Sequence, residues 1–141
     1  MTYKKKGFAK GVINGFGGKM DIQKDNSTEE ALAREAKEEI GVKLLDCKKV
    51  AELSFFFPHK PEWNQLVHTY FIDKWQGEPS ESEEVKPEWM TVDELPYGKM
   101  WKDDIIWLPK ALEGKLIVAE FAFNEDGSIA KHKMDLSLIH I

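Results

Sequence analysis

The segment from Ser27 to Gly41, STEEALAREAKEEIG, constrains the fold more than any other part of the chain. Ser27 with Glu30 three residues on is a capping-box pattern, and Gly41 stands where a left-handed residue closes a helix, which places one helix over roughly Thr28 to Ile40. Runs rich in Val, Ile, Phe and Tyr at Val50 to Phe57, Leu66 to Ile72, Glu88 to Val92 and Leu116 to Phe123 read as strands, so the sheet lies mostly downstream of this helix. Asn124 to Gly127 reads as the turn of a final hairpin into Ser128 to Met134. Asp103 to Leu112 reads as a second helix that Pro109 kinks or interrupts. Pro58 to Asn64 and Gly77 to Pro87 are expected to be loops.

At 141 residues the chain fits one domain with room for a cleft. A net charge of -5 argues against a binder of duplex nucleic acid, which needs a dense field of Lys and Arg. The single cysteine, Cys47, excludes an internal disulfide framework, and no apolar run is long enough for a signal peptide or a membrane span, which reads as cytoplasmic.

Two nucleotide-loop readings of Asn14 to Met20, NGFGGKM, fail. A dinucleotide fingerprint needs a third Gly where Met20 stands, and a P-loop needs Gly at Ile13 and Ser or Thr at Met20. No Gly-x-Ser-x-Gly elbow is present, and His59, His68, His132 and His140 lack metal-ligand spacing.

The first helix carries the chemistry. At about 100° per residue, Leu32, Ala36, Ile40 and Ala33 cover one arc, expected to be buried, while Glu38, Glu35 and Glu39 cover the adjoining arc. Carboxylates collected at the edge of a core repel one another, and hard oxygen donors suit Mg²⁺ or Mn²⁺. Spacing alone leaves open a solvated Glu-rich face with Arg34 paired to Glu38, and favours it.

Arg34 to Val42, REAKEEIGV, resembles the second half of the Nudix box, Arg-Glu-apolar-x-Glu-Glu-x-Gly-apolar, at every fixed position. The similarity extends through Asn14 to Lys19 (NGFGGK) and Met100 to Asp104 (MWKDD) and covers most of the chain up to about Asp135. Within Nudix it is similar to the oxidised purine nucleoside triphosphatases that sanitise the nucleotide pool. The resemblance implies an α+β fold, an α/β/α sandwich with a mixed curved sheet between helices, over a single domain of residues 1–135. It also implies a Mg²⁺-dependent diphosphatase, with Mn²⁺ as a possible substitute, that releases nucleoside monophosphate and pyrophosphate. The expected partner is a small nucleotide, with no nucleic-acid polymer and no membrane, bound by a monomer.

Carried over residue by residue, Glu39 and Glu35 are the main metal ligands, with Glu38 supporting and the carbonyl of Gly17 completing the site. Arg34 orients the glutamates. Glu84 corresponds to a downstream glutamate that holds the metal or the water, with Glu83 as its rival in the acidic loop Glu81 to Glu84. Lys4 and Lys19 face the phosphates. Asn14, Trp101, Asp103 and Asp104 read and stack on the purine, and Phe8 with one of Phe55, Phe56 or Phe57 lines the pocket. The plain alternative for Asp103 and Asp104 is that they cap a helix.

The pattern breaks in places. The early box glutamate falls at Asn26, and the Gly18 to Asn26 interval is two residues longer than the family spacing, which weakens the support of Arg34. Only about ten residues precede Gly11, so a first strand is expected to be missing. Leu136 to Ile141, LSLIHI, departs from the family and is expected to be a non-native or disordered tail. Two alternative readings follow: a Nudix diphosphatase for another nucleoside diphosphate derivative, and a non-catalytic nucleotide-binding domain.

Overall fold

The structure is a computed structural model. It describes residues 1–4, 13–14, 27–83 and 85–138, of which 2–4, 13–14 and 138 are described by their backbone alone. The chain divides into two compact units, one of residues 1–47 with 72–101 and one of 48–71 with 102–141.

In the first unit, helix α1 spans Thr28–Ile40, the bounds expected from its caps. Ser27 is extended and its hydroxyl oxygen accepts the Glu30 N–H at 3.1 Å. Gly41 closes the helix at φ 71°, donating its N–H to the Ala36 carbonyl. An added Cβ on Gly41 would meet Ser80 Oγ at 3.1 Å, so Gly serves both the left-handed turn and a close approach. Gly41→Ala is expected to lower unfolding stability by about 1–2 kcal/mol, read as a reduced urea midpoint at unchanged slope.

A three-stranded sheet of order β2-β1-β5 belongs to the same unit, from Ile13–Asn14, Thr2–Lys4 and Val85–Pro87. The first residues of the chain thus supply β1, the middle strand of this sheet. Both pairings of β1 are antiparallel. The strand expected at Glu88 to Val92 is displaced upstream: β1 pairs Thr2 with Pro87, and Glu88 N–H donates to Met1 O at 2.9 Å. Val92–Glu94 instead makes a 3₁₀ turn, leaving Trp89 exposed. Ala36, Ile40, Val42 and Val85 form a buried cluster, with Leu44 packed on it.

The second unit is built on the sheet of order β4-β3-β6-β7, from Gln65–Gln76, Lys43–Phe56, Lys115–Phe123 and Ile129–Leu138, and contains residues 65–71 of β4 and 48–56 of β3. It is mixed: β3 and β6 run parallel, β6 and β7 antiparallel. Alternation sends Leu53, Ile117, Ala119 and Phe121 inward. Phe55 packs on Phe121 and Phe123, and Phe57 stacks on Phe123 at 5.2 Å between centroids, while Phe56 on the opposite face is exposed.

Helix α2, Asp104–Leu112, packs against β6 and buries Asp104, Trp107, Leu108 and Ala111 at helical spacing. Pro109 does not interrupt it. Burial of Leu108 and Ala111 on either side of the proline holds the last turn in place despite the missing N–H. Strand β7 also runs further than expected: Leu136, Ser137 and Leu138 pair with Ile117, Leu116 and Lys115, three residues past the boundary expected at Asp135. Residues 139–141 lie outside the described residues.

Candidate active site

The glutamates of α1 are not confined to the border of its buried arc. At about 100° per residue, Ala31, Glu35, Glu39, Leu32, Ala36 and Ile40 succeed one another over about half a turn, and all six are buried or half-buried. Ala33, expected in the buried arc, is exposed, and Ala31 is buried instead. The shielded half therefore contains Glu35 and Glu39. The correction arises because apolar spacing registers only what a helix offers, whereas shielding depends on what a remote segment covers.

That segment is the acidic loop. Ser80 donates to the Ile40 carbonyl twice, from its N–H at 2.9 Å and from its hydroxyl at 3.3 Å. At the other end Ser82 N–H donates to Val85 O at 3.0 Å, and Val85 N–H donates to Ser82 Oγ at 3.3 Å. The loop is fastened to the helix end and to the first turn of β5. Glu35, Glu38, Glu39, Ser82 and Glu83 consequently line one cavity of about 280 Å³.

Arg34 draws two of these carboxylates to one nitrogen: Nη1 donates to Glu35 Oε1 at 3.0 Å and to Glu38 Oε2 at 3.1 Å. The Glu38 contact is the surface pair that spacing suggested, and Glu38 is 54 % exposed. The Glu35 contact is different, since Glu35 is 14 % exposed and Arg34 21 %. Shielded charge pairs are held more firmly than exposed ones. Among the described residues no three carboxylate, imidazole or thiol groups form a ready-made cation cluster. The donor set nonetheless fits a hard divalent ion, being four carboxylates and a hydroxyl around one cavity with no sulfur or imidazole.

Several residues of the sequence reading fall elsewhere. Phe8, Gly17, Lys19, Asn26 and Glu84 lie outside the described residues. Lys4 is the last residue of β1 and lies opposite Val85, and Asn14 lies opposite Thr2, so both belong to the three-stranded sheet by backbone pairing. Glu83, the rival to Glu84, lines the cavity together with Ser82 of the same loop.

In MWKDD, Trp101 is half-buried, while Asp103 and Asp104 are buried. Asp103 does not cap α2. Its backbone is helical, with φ -71° and ψ -26°, and its side chain makes no capping bond. Its Oδ2 instead accepts the indole N–H of Trp107 at 2.9 Å. Burial pushes the Asp103 carboxyl above the ordinary carboxylate range, opposed by the indole N–H and by its own backbone N–H. Trp107 did not figure among the sequence candidates, although its spacing of four from Asp103 on one helix was a readable signal.

Two histidines make ring contacts: His59 meets Phe57 and Trp63 edge-on, and His132 stacks on Phe121 at 5.9 Å. His68 Nδ1 is buried without a hydrogen-bond partner, 3.9 Å from Glu52.

Two shielded glutamates, Glu35 and Glu39, on a helix closed by Gly41, with Arg34 paired to Glu35 and Glu38 and an acidic loop across the cavity, match the arrangement that the Nudix resemblance implies. The NUDIX domain model matches residues 3–111, and the chain belongs to that family. It is 39 % identical over 132 residues to the oxidized purine nucleoside triphosphate hydrolase of Danio rerio, covering 94 % of this chain and 83 % of that protein. The protein of the same description from Mus musculus is 37 % identical over 131 residues, covering 93 % and 82 % respectively. The crystal structure of the MutT protein from Bacillus halodurans superposes with a TM-score of 0.77 at 24 % identity, over 95 % of this chain and 88 % of that one, and so shares the fold.

Proposed function

We propose that this chain hydrolyses oxidised purine nucleoside triphosphates to the monophosphate and pyrophosphate, with Mg²⁺ as the metal. The observation that carries the reading is the placement of Glu35 and Glu39 in the shielded half of α1, around one cavity with Glu38 and Glu83. Nudix hydrolases generally need a divalent metal ion. The chemistry a bound cation supplies is neutralisation of polyphosphate charge and acidification of water.

In this reading Glu35 and Glu39 hold the ion, Glu38 supports them, and the Gly17 carbonyl with Glu83 or Glu84 completes the donor set. Arg34 fixes the rotamers of Glu35 and Glu38 and offsets their mutual repulsion. Lys4 and Lys19 bind phosphate oxygens, which orients the polyphosphate for in-line attack. At the other end of the substrate Trp101 stacks on the purine, and Asn14, Asp103 and Asp104 read its edge, with Phe8 and one of Phe55, Phe56 or Phe57 as apolar lining. Oxidation at the ring exchanges a hydrogen-bond donor for an acceptor or the reverse. A carboxyl whose proton is retained by burial can donate where an ionised one only accepts. Asp103 is buried, and that burial shifts its carboxyl upward, toward the protonated form. The nucleotide is bound by a monomer in the cytoplasm, and no described helix is long and apolar enough to cross a membrane.

Pyrophosphate release across a panel of 8-oxo-dGTP, 2-hydroxy-dATP, dGTP, a nucleotide sugar and a capped nucleotide tests this assignment. The expected result is metal-dependent turnover, highest for the oxidised purines and abolished by excess chelator. Turnover greatest on the sugar or the cap would move the substrate within the family. No turnover on any compound, with nucleotide binding intact, would leave a binding domain.

A further inference from the structure

We propose that Trp107 is a positioning residue for purine discrimination: its indole N–H holds Oδ2 of Asp103, so that a proton presented to the base is favoured on Oδ1. This rests on the reading of Asp103 as a base contact.

An indole N–H donates and never accepts. The oxygen it meets at 2.9 Å is therefore an acceptor whether Asp103 is ionised or neutral. A carbonyl oxygen accepts better than a hydroxyl oxygen, so when Asp103 takes up a proton the indole favours it on Oδ1 and leaves Oδ2 as the acceptor. One bond thus holds the orientation of the carboxyl and biases the site of its proton. The bond is itself well fixed, because Asp103 is 3 % and Trp107 6 % exposed and both belong to one rigid helical turn. Packing of α2 against β6 removes the alternative rotamers that a surface indole would sample.

The charged surroundings leave this bond in command. On α2, Asp104 is the adjacent titratable group, and Lys110 is exposed two turns away. The strand packed against α2, β6, presents Ile117, Ala119 and Phe121 as buried residues; its Lys115 is half-buried and its Glu120 exposed. The influences acting on Asp103 are its burial, the indole and its own backbone N–H, and the indole is the larger of the two that favour the ionised form. Removing it raises the pH at which Asp103 releases its proton.

The experiment compares wild type, Trp107→Phe, Asp103→Asn and the double variant in full-length protein. It measures kcat/KM for 8-oxo-dGTP and dGTP from pH 5 to 9, with thermal melts of each. Trp107→Phe is expected to lower the 8-oxo-dGTP to dGTP ratio by about threefold to thirtyfold and to move its pH dependence upward. In the Asp103→Asn background the same change is expected to leave the ratio within about twofold, since the carboxyl it acts on is gone. An unchanged ratio and pH profile in Trp107→Phe, when Asp103→Asn alters both, overturns the positioning role and leaves the base contact standing. An unchanged ratio in Asp103→Asn overturns the base contact and the positioning role together. Should Trp107→Phe fail to fold, the wild-type indole ¹H–¹⁵N resonance of Trp107 decides: it is expected to titrate over the pH range in which discrimination changes, and a flat resonance there overturns the proposal.

Discussion

Glu39→Gln is expected to lower kcat on every nucleotide by on the order of 10²–10³, about 3–4 kcal/mol of transition-state stabilisation, while the melting temperature stays at or above that of wild type. The opposition of the two effects follows from where Glu39 sits. It is a half-buried carboxylate sharing one cavity with Glu35, Glu38 and Glu83, and like charges gathered around one cavity repel and disfavour the folded state. Gln retains the shape and removes the charge. A group placed for packing would lose stability on substitution and keep activity; a group placed for a cation does the reverse. Steady-state kinetics with titrated Mg²⁺ and a thermal melt with and without chelator measure both halves. Full turnover in this variant, or a large drop in melting temperature with turnover retained, would remove the carboxylate cavity from the mechanism.

Asp103→Asn is expected to act on selectivity. The ratio of kcat/KM for 8-oxo-dGTP over dGTP should change by about tenfold to a hundredfold, equivalent to about 1–3 kcal/mol for one buried contact, with the metal requirement unchanged. Its pH dependence carries a sign. Burial raises the folded-state pKa of Asp103 above the unfolded value, so the stability contributed by its protonated form is fully present below the unfolded pKa and is lost as pH rises through the folded pKa. Asn, which cannot ionise, escapes that loss. The variant should therefore gain stability relative to wild type as pH rises through the folded pKa, and its selectivity should become flat with pH. A wild-type selectivity ratio together with a wild-type pH profile sinks the role of Asp103 in reading the base.

The contrast between these two sites shows how differently they were legible in the sequence. The helix that carries the glutamates is bounded by interactions between residues three to six apart, Ser27 to Glu30 and Gly41 to Ala36, so its limits could be read from residue types alone. The same locality made the Arg34 to Glu38 contact readable. The cores of β3, β4 and β6 were legible for a related reason, because β-branched and aromatic residues in extended runs suit a half-buried pleat in any sheet.

Other features required the tertiary structure. Whether Glu35 and Glu39 face water or a cavity depends on Ser80, some forty residues away, fastening the acidic loop to the end of α1. The position of β5 depends on its pairing with β1, which an apolar run at Trp89 to Val92 could not disclose. Asp103 ahead of a helix looks like a cap in sequence. It became a buried carboxyl bound to Trp107 because α2 packs its first turn inward against β6. By itself, then, the sequence determined the carboxylate helix, its caps, the strand cores and the family pattern, all of which rest on local geometry. Only the tertiary structure decided which charges are shielded, which strand register closes the small sheet and which aspartates are buried, because desolvation is imposed by segments distant in the chain.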